Sequence, residues 1–225
     1  MEHPQLNLHD QRYMDRLLAK ESYSRIGQLL KLIELKRDLT VADFACGNGV
    51  MLEFLHEKVG KYFGIDFSPS AIKNAELRKK KMGVTNAQFF CDSIQSFCYK
   101  NQEKFDIAMA FDFSEHVGDK EWLQILSSIK NSLKKGGKLY MHTPNGKYVI
   151  EIMKNKNFIF KQFPEHISVR SAQKNTILLE KAGYQIRCIK FLSHYNILKY
   201  IHLLSFIPWL GSYFQARLFI IAEKV

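Results

Sequence analysis

No two of the four cysteines, Cys46, Cys91, Cys98 and Cys188, form a Cys-x-x-Cys pair. That spacing argues against a zinc site or a dithiol redox motif and leaves buried thiols in a reducing compartment, with Cys46 and Cys91 at strand ends. No apolar run is long enough for a bilayer. The most apolar stretch, Tyr200 to Phe214, has about 15 residues where a membrane span needs about 20, and Pro208 interrupts it. The first twenty residues are polar and charged, so no secretory leader is expected and the setting is cytoplasmic. There is no repeat and no low-complexity segment, so 225 residues read as one domain with a full core. Acidic side chains are in short supply: 22 Asp and Glu face 33 Lys and Arg, a net charge of +11. Such a balance favours an anionic partner (nucleic acid, a phospholipid surface, a substrate with phosphate or carboxylate) or reflects a general lysine enrichment. The basic runs Arg78 to Lys81 and Lys134-Lys135 fall near expected helix C-termini, where cations are favoured in any case.

What is present is concentrated in Val41-Ala42-Asp43-Phe44-Ala45-Cys46-Gly47-Asn48-Gly49. An apolar strand ends in an acid, passes through small residues and opens an amphipathic helix. A second strand then ends in Gly64-Ile65-Asp66. Small residues let backbone amides approach a ligand, and an acid at the tip of the next strand can take both hydroxyls of a ribose. A dinucleotide fingerprint needs Gly-x-Gly-x-x-Gly, but Leu52 stands at the third place. Asp43 would repel a pyrophosphate and suits a cationic ligand instead.

Further on, strands are expected at 39–44, 61–65, 87–91, 105–111 and 137–143, and helices at 49–58, 69–82, 119–134 and 171–182. Residues 10–36 read as one or two amphipathic helices. Strict alternation implies an α/β fold with a parallel sheet. Ser68-Pro69 opens the second helix, and Gly136-Gly137 ends the fourth. The tail reads as a strand at 184–192, the apolar stretch 195–214, and a strand at 216–223.

These features resemble the class I S-adenosylmethionine-dependent methyltransferases, whose pattern is acid-x-Gly-x-Gly-x-Gly followed by an acid ending the second strand. The match runs over roughly residues 39 to 190, with Asp66, Asp92 and Gly136-Gly137 in order and Ala45 in place of the first glycine. The resemblance implies a Rossmann-like doubly wound sheet, mostly parallel with an antiparallel last strand, and helices on both faces. The residues then divide into N-terminal helices at 1–37, a cofactor-binding core at 38–192, and the apolar insert with the last strand at 193–225. It places Asp43, Ala45, Gly47, Gly49, Asp66, Phe67, Asp92, Ser93 and Phe111 at S-adenosylmethionine. Asp43 would neighbour the methionine amino end, Asp66 the ribose, and Asp92 the adenine amine, with Phe67 or Ile94 against the ring. Each later acid has a structural alternative: Asp66 as the cap before Ser68-Pro69, and Asp92 as the N-cap of a short helix at 93–98.

The fourth strand ends in Phe111-Asp112-Phe113-Ser114-Glu115-His116-Val117. It lacks the Asn/Asp-Pro-Pro-aromatic segment of base-amine methyltransferases and a Pro-Cys nucleophile. Instead Asp112-x-x-Glu115-His116 resembles a segment of ubiquinone-pathway O-methyltransferases and of small-RNA 2′-O-methyltransferases. In the RNA branch a later histidine completes a metal set, and His166 occupies the comparable region. Asp112, Glu115, His116 and His166 are thus the candidate ligands of Mg²⁺ or Mn²⁺, and His166, His116 and Glu115 the candidate catalytic groups. His142 lies within a strand and reads as structural. The alternative for Glu115-His116 is a turn that shapes the methionine pocket without metal.

The reading is O-methylation of a small apolar or anionic acceptor. An RNA 2′-O-methyltransferase and a non-catalytic cofactor-binding partner subunit are the alternatives. Against RNA stand the lack of an arginine-rich arm and of aromatics interleaved with basic residues. Residues 195–214 read as core, as a lid over the acceptor, as a homodimer interface, or as a segment that touches the inner membrane surface.

Overall fold

The structure, a computed structural model, describes residues 20–155, 163, 165–194 and 197–225. Seven strands hydrogen-bond in the order β3-β2-β1-β4-β5-β7-β6. The chain divides into two compact units, Met1–Met109 with Asn131–Lys134, and Ala110–Lys130 with Lys135–Val225.

In the first unit, β1 (Thr40–Phe44) pairs in parallel with β2 (Lys61–Asp66) on one side and with β4 (Phe105–Phe111) on the other. β2 pairs in parallel with β3 (Ala87–Cys91). The strand order thus reverses beside β1, and in open α/β sheets ligands bind outside the carboxyl ends of the strands at such a point. β1, β2 and β4 are near-continuous apolar runs, as strands covered on both faces must be. Phe97, on α4 (Ile94–Lys100), is the hub of an aromatic cluster, with ring centroids 6.4 Å from Phe44, 4.9 Å from Phe90 and 5.9 Å from Phe105. The first described helix, α1 (Lys20–Leu30), buries Ile26, Leu29 and Leu30. Its expected extension over 10–19 lies outside the described residues.

The helix expected at 49–58 shortens to α2 (Leu52–Leu55) with turns on either side. Gly49 has φ +71°, which no α-helical residue can adopt, so the turn at 46–49 consumes the first helical positions. α3 (Pro69–Met82) begins as expected. Ser68 Oγ accepts from Ala71 N, Pro69 occupies the first position, and Gly83 closes the helix at φ +65°.

In the second unit, β5 (Leu133–Pro144) runs antiparallel to β7 (Arg217–Lys224), which runs antiparallel to β6 (Tyr184–Leu192). The antiparallel last strand is as expected. α5 (Asp119–Ser132) stops two residues short of expectation, and β5 starts at once, so Gly136-Gly137 lies inside the strand. Within the first unit, Glu103 N and Lys104 N donate to the carbonyls of Asn131 and Ser132, which the helix would otherwise leave unpaired. α6 (Val149–Asn155) and α7 (Ala172–Lys181) complete the α-helices among the described residues. Trp122 is fully buried, with its ring 5.7 Å from Phe113.

The apolar tail segment forms two 3-10 stretches, Ile197–Phe206 and Gly211–Phe214. It is not core: Trp209 is 97 % exposed and Phe206 79 %. Among the described residues no helix is long and apolar enough to cross a membrane.

Candidate functional site

The loop after β1 is held in a left-handed rhythm: Ala45, Gly47 and Gly49 have φ of +57°, +54° and +71°. Ala45 therefore carries a modest strain. Gly49 is needed for space as well. A Cβ there would lie 2.8 Å from Phe89 Cζ and 2.9 Å from Ala75 Cβ. Asp66 at the end of β2 ties the loop down. Its Oδ2 accepts from Gly47 N at 2.9 Å and its Oδ1 from Ser68 N at 2.9 Å. The cap of α3 is Ser68 itself, so Asp66 is not the capping residue that was the alternative for it. Likewise Ser93, accepting from Ser96 N, is the N-cap of α4. Asp92 beside it accepts from Ser93 N, Ser96 Oγ and Lys100 Nζ at 2.8, 3.1 and 3.0 Å. Phe67, next to Asp66, is 38 % exposed.

Asp43 is buried at the end of β1, and its Oδ2 accepts from the Tyr62 hydroxyl at 2.6 Å. Burial pushes its carboxyl from 3.8 up to about 7. The Tyr62 bond opposes the rise and the Asp66 charge adds to it. The same burial, reinforced by Asp43, raises the Tyr62 phenol and the Cys46 thiol well above their ordinary values. A buried carboxyl so displaced gains from a cation. That need fits a small-residue loop receiving a positively charged ligand.

In the second unit, the 3-10 turn Ser114–His116 follows β4. Glu115, His116 and His166 each offer a ligand atom, all within 4.8 Å of one another. Asp112 stands apart from this group. At φ +49° it turns its Oδ1 to His142 Nδ1 (2.9 Å) and Arg217 Nη1 (3.0 Å). Of the four candidate ligands, three therefore converge, while Asp112 faces Arg217 and His142. Phe111 packs edge-on to His142 and tilted on Phe219, with centroids 6.2 and 6.3 Å apart.

Two of the three side chains, Glu115 and His116, are held by hydrogen bonds. Thr143 Oγ1 donates to Glu115 Oε2 at 3.1 Å and accepts from Ser114 Oγ at 3.0 Å. His116 Nδ1 lies 2.9 Å from the Glu165 carbonyl oxygen, which assigns the proton to Nδ1 and leaves Nε2 as the ring's acceptor. His166 Nδ1 is buried without a hydrogen-bond partner. Burial, with the neighbouring His116, lowers His166 to about 4, so its ring is neutral at pH 7. Burial, with the Asp112 charge, raises the Glu115 carboxyl to about 8.

Arg170 was not singled out in the sequence. It is buried, and its guanidinium donates to the carbonyls of Ser114 (2.6 Å), Val117 (2.6 Å) and Ser168 (3.2 Å) and to Asp119 Oδ1 (2.8 Å). It thereby clasps the turn that carries Glu115 and His116. Nothing in Ser168-Val169-Arg170 marks it out. Only the fold brings residues more than fifty positions apart together.

A family model described as a methyltransferase domain matches residues 35–186. A ubiquinone biosynthesis O-methyltransferase of Serratia proteamaculans is 24 % identical over 130 residues, covering 57 % of this chain and 53 % of that protein. One of the same name from Idiomarina loihiensis is 28 % identical over 105 residues, covering 47 % and 42 %. The chain thus spans about half the length of these curated relatives. In fold, it is similar to an S-adenosylmethionine-dependent methyltransferase from Aquifex aeolicus, with a TM-score of 0.66 and 18 % identity over 96 % of this chain and 99 % of that one.

Proposed function

The chain belongs to the methyltransferase domain family, and on that premise we propose that it is an S-adenosylmethionine-dependent enzyme that methylates a hydroxyl of a small acceptor. The observation that carries this reading is the convergence of Glu115, His116 and His166 within 4.8 Å, with a buried, unpartnered His166 Nδ1 among them. One carboxylate and two imidazoles, with Glu115 held by Thr143 and His116 by the Glu165 carbonyl, fit a divalent ion such as Mg²⁺ or Mn²⁺. A cation there would draw the proton from Glu115 and lower the pKa of the acceptor hydroxyl. The relatives' O-methyltransferase names support oxygen as the acceptor atom.

On the cofactor side, S-adenosylmethionine supplies an electrophilic methyl on a sulfonium. The loop 45–49 gives it backbone to lie against, and Asp43 answers its positive charge. Asp66 offers its remaining lone pairs to the ribose. Asp92 and Ser93 meet the adenine edge, and Phe67 and Ile94 its ring.

The test is methyl transfer to a panel of phenols and carboxylates with and without EDTA, alongside calorimetry of S-adenosylhomocysteine. Activity is expected to vanish in EDTA and return with Mn²⁺, while S-adenosylhomocysteine binds equally in both. Full activity in chelator would remove the metal and leave His166 or His116 as a general base. Products methylated on nitrogen or carbon would refute the choice of oxygen.

A further inference from the structure

We propose that the 197–214 lobe docks the protein on an anionic lipid bilayer. The lobe presents Tyr200, Leu203, Phe206, Trp209 and Tyr213 to solvent, with Trp209 at 97 % and Phe206 at 79 % exposure. Single exposed apolar side chains need no explanation, but this many from one short segment do.

The display is built rather than frayed. Gly211 N donates to Ile207 O at 2.9 Å and Tyr213 N to Leu210 O at 3.0 Å. Gly211 lies so close on the Ser205 backbone that a Cβ would collide with it. Trp209 follows Pro208 with φ +72°, a conformation bulky residues rarely adopt. The strain sets the indole at the outer end of the loop, at some cost in stability.

Charge decides which surface the lobe meets. From Lys181 through Ala222 the chain has no Asp or Glu; within it Arg187 pairs with Glu223 and Arg217 with Asp112, which leaves Lys190 and Lys199 for an outside anion. Lys190 and Lys199 are exposed, and Lys199 Nζ lies 5.3 Å from the Tyr200 ring. A second copy of this lobe would bring lysines together with no acid to pair them. Anionic head groups pair with the lysines, while tryptophan and tyrosine favour the head-group level and Phe206 and Leu203 the acyl boundary. The lobe is too short to span, so it lies in the interface.

The experiment needs no turnover and is independent of the reaction assigned above. The chain has two tryptophans, and Trp122 is fully buried, so a change in emission on adding vesicles reads Trp209. With phosphatidylglycerol-containing vesicles, emission shifts to the blue and the protein floats with the lipid. Both effects fade in high salt and are weak with pure phosphatidylcholine. Trp209→Ser lowers the partition coefficient about ten-fold or more. Lys199→Glu lowers it on anionic vesicles and leaves the residual binding to phosphatidylcholine unchanged. Unaltered S-adenosylhomocysteine affinity shows that both variants are folded. No flotation and no emission change would overturn the proposal. So would a blue shift that tracks protein concentration without lipid, with a dimer in sedimentation, because a second copy would then cover the lobe.

Discussion

Replacing Asp43 by Asn tests the electrostatics of the cofactor loop directly. The side chain is buried and keeps its shape in the variant, and an Asn carbonyl can still accept the 2.6 Å bond from Tyr62. In the folded chain the carboxyl titrates at about 7 instead of 3.8, so between those values the folded state holds a proton that the unfolded chain has released. Stability therefore falls as pH rises through this window and levels off above about 7. A rise of that size penalises the ionised folded state by roughly 4 kcal/mol, and relaxation of the site reduces it. Asp43→Asn removes the penalty. In urea titrations without ligand it is expected to match the parent near pH 4 and to exceed it by roughly 2–4 kcal/mol at pH 8. On the proposed placement of the cofactor the same change deletes the charge facing its cationic groups, so S-adenosylhomocysteine and S-adenosylmethionine affinities are expected to fall at least about ten-fold at pH 8. Stabilisation coupled to lost affinity is the signature. An Asn variant that is less stable than the parent at pH 8, or whose gain does not vary with pH, would refute the claim that a buried, cation-seeking carboxyl sits there.

Asp66→Ala withdraws the acceptor of Gly47 N and Ser68 N, and calorimetry should show S-adenosylhomocysteine affinity reduced by about ten-fold or more; unchanged affinity would separate Asp66 from the cofactor. Gly49→Ala meets both the left-handed backbone and the Phe89 and Ala75 contacts, whereas Gly83→Ala meets open space at φ +65°, so thermal melts should show the first as clearly more damaging. Glu115→Gln and His166→Ala should abolish the rise in melting temperature that Mn²⁺ gives the parent and leave S-adenosylhomocysteine binding intact. Arg170→Ala strands the buried carbonyls of Ser114 and Val117 and should cost roughly 2–4 kcal/mol. Arg170→Lys should recover part of that stability while Mn²⁺ affinity stays reduced, because an ammonium cannot span both carbonyls.

Most of the sheet was legible in the chain, and the reason is local. Val41 to Phe44, Tyr62 to Ile65 and Ile107 to Ala110 are apolar runs bounded by charged or turn residues, so strand identity and parallel pairing follow from period and alternation. The Ser68-Pro69 start and the left-handed loop at Gly47 and Gly49 are likewise set within a few residues. Element ends were less legible, because distant groups decide them. α5 ends at Ser132 where Glu103 and Lys104 take its last carbonyls, and the glycines at 136 and 137 fall within a strand.

The sequence by itself determined the fold class, the acid-tipped glycine loop and the residue types of the Asp112-to-His116 segment. These rest on chemistry and spacing along the chain. Tertiary structure alone decided which of those residues meet. It joined His166 to Glu115 and His116 and drew Asp112 away to Arg217 and His142. It clasped the turn with Arg170, and it turned the 197–214 segment outward rather than into the core. The physical reason is that a side chain's partners across a fold are set by which strand ends and loops converge. Burial then sets how strongly each charge is felt, and neither quantity is written in the spacing of residues along the chain.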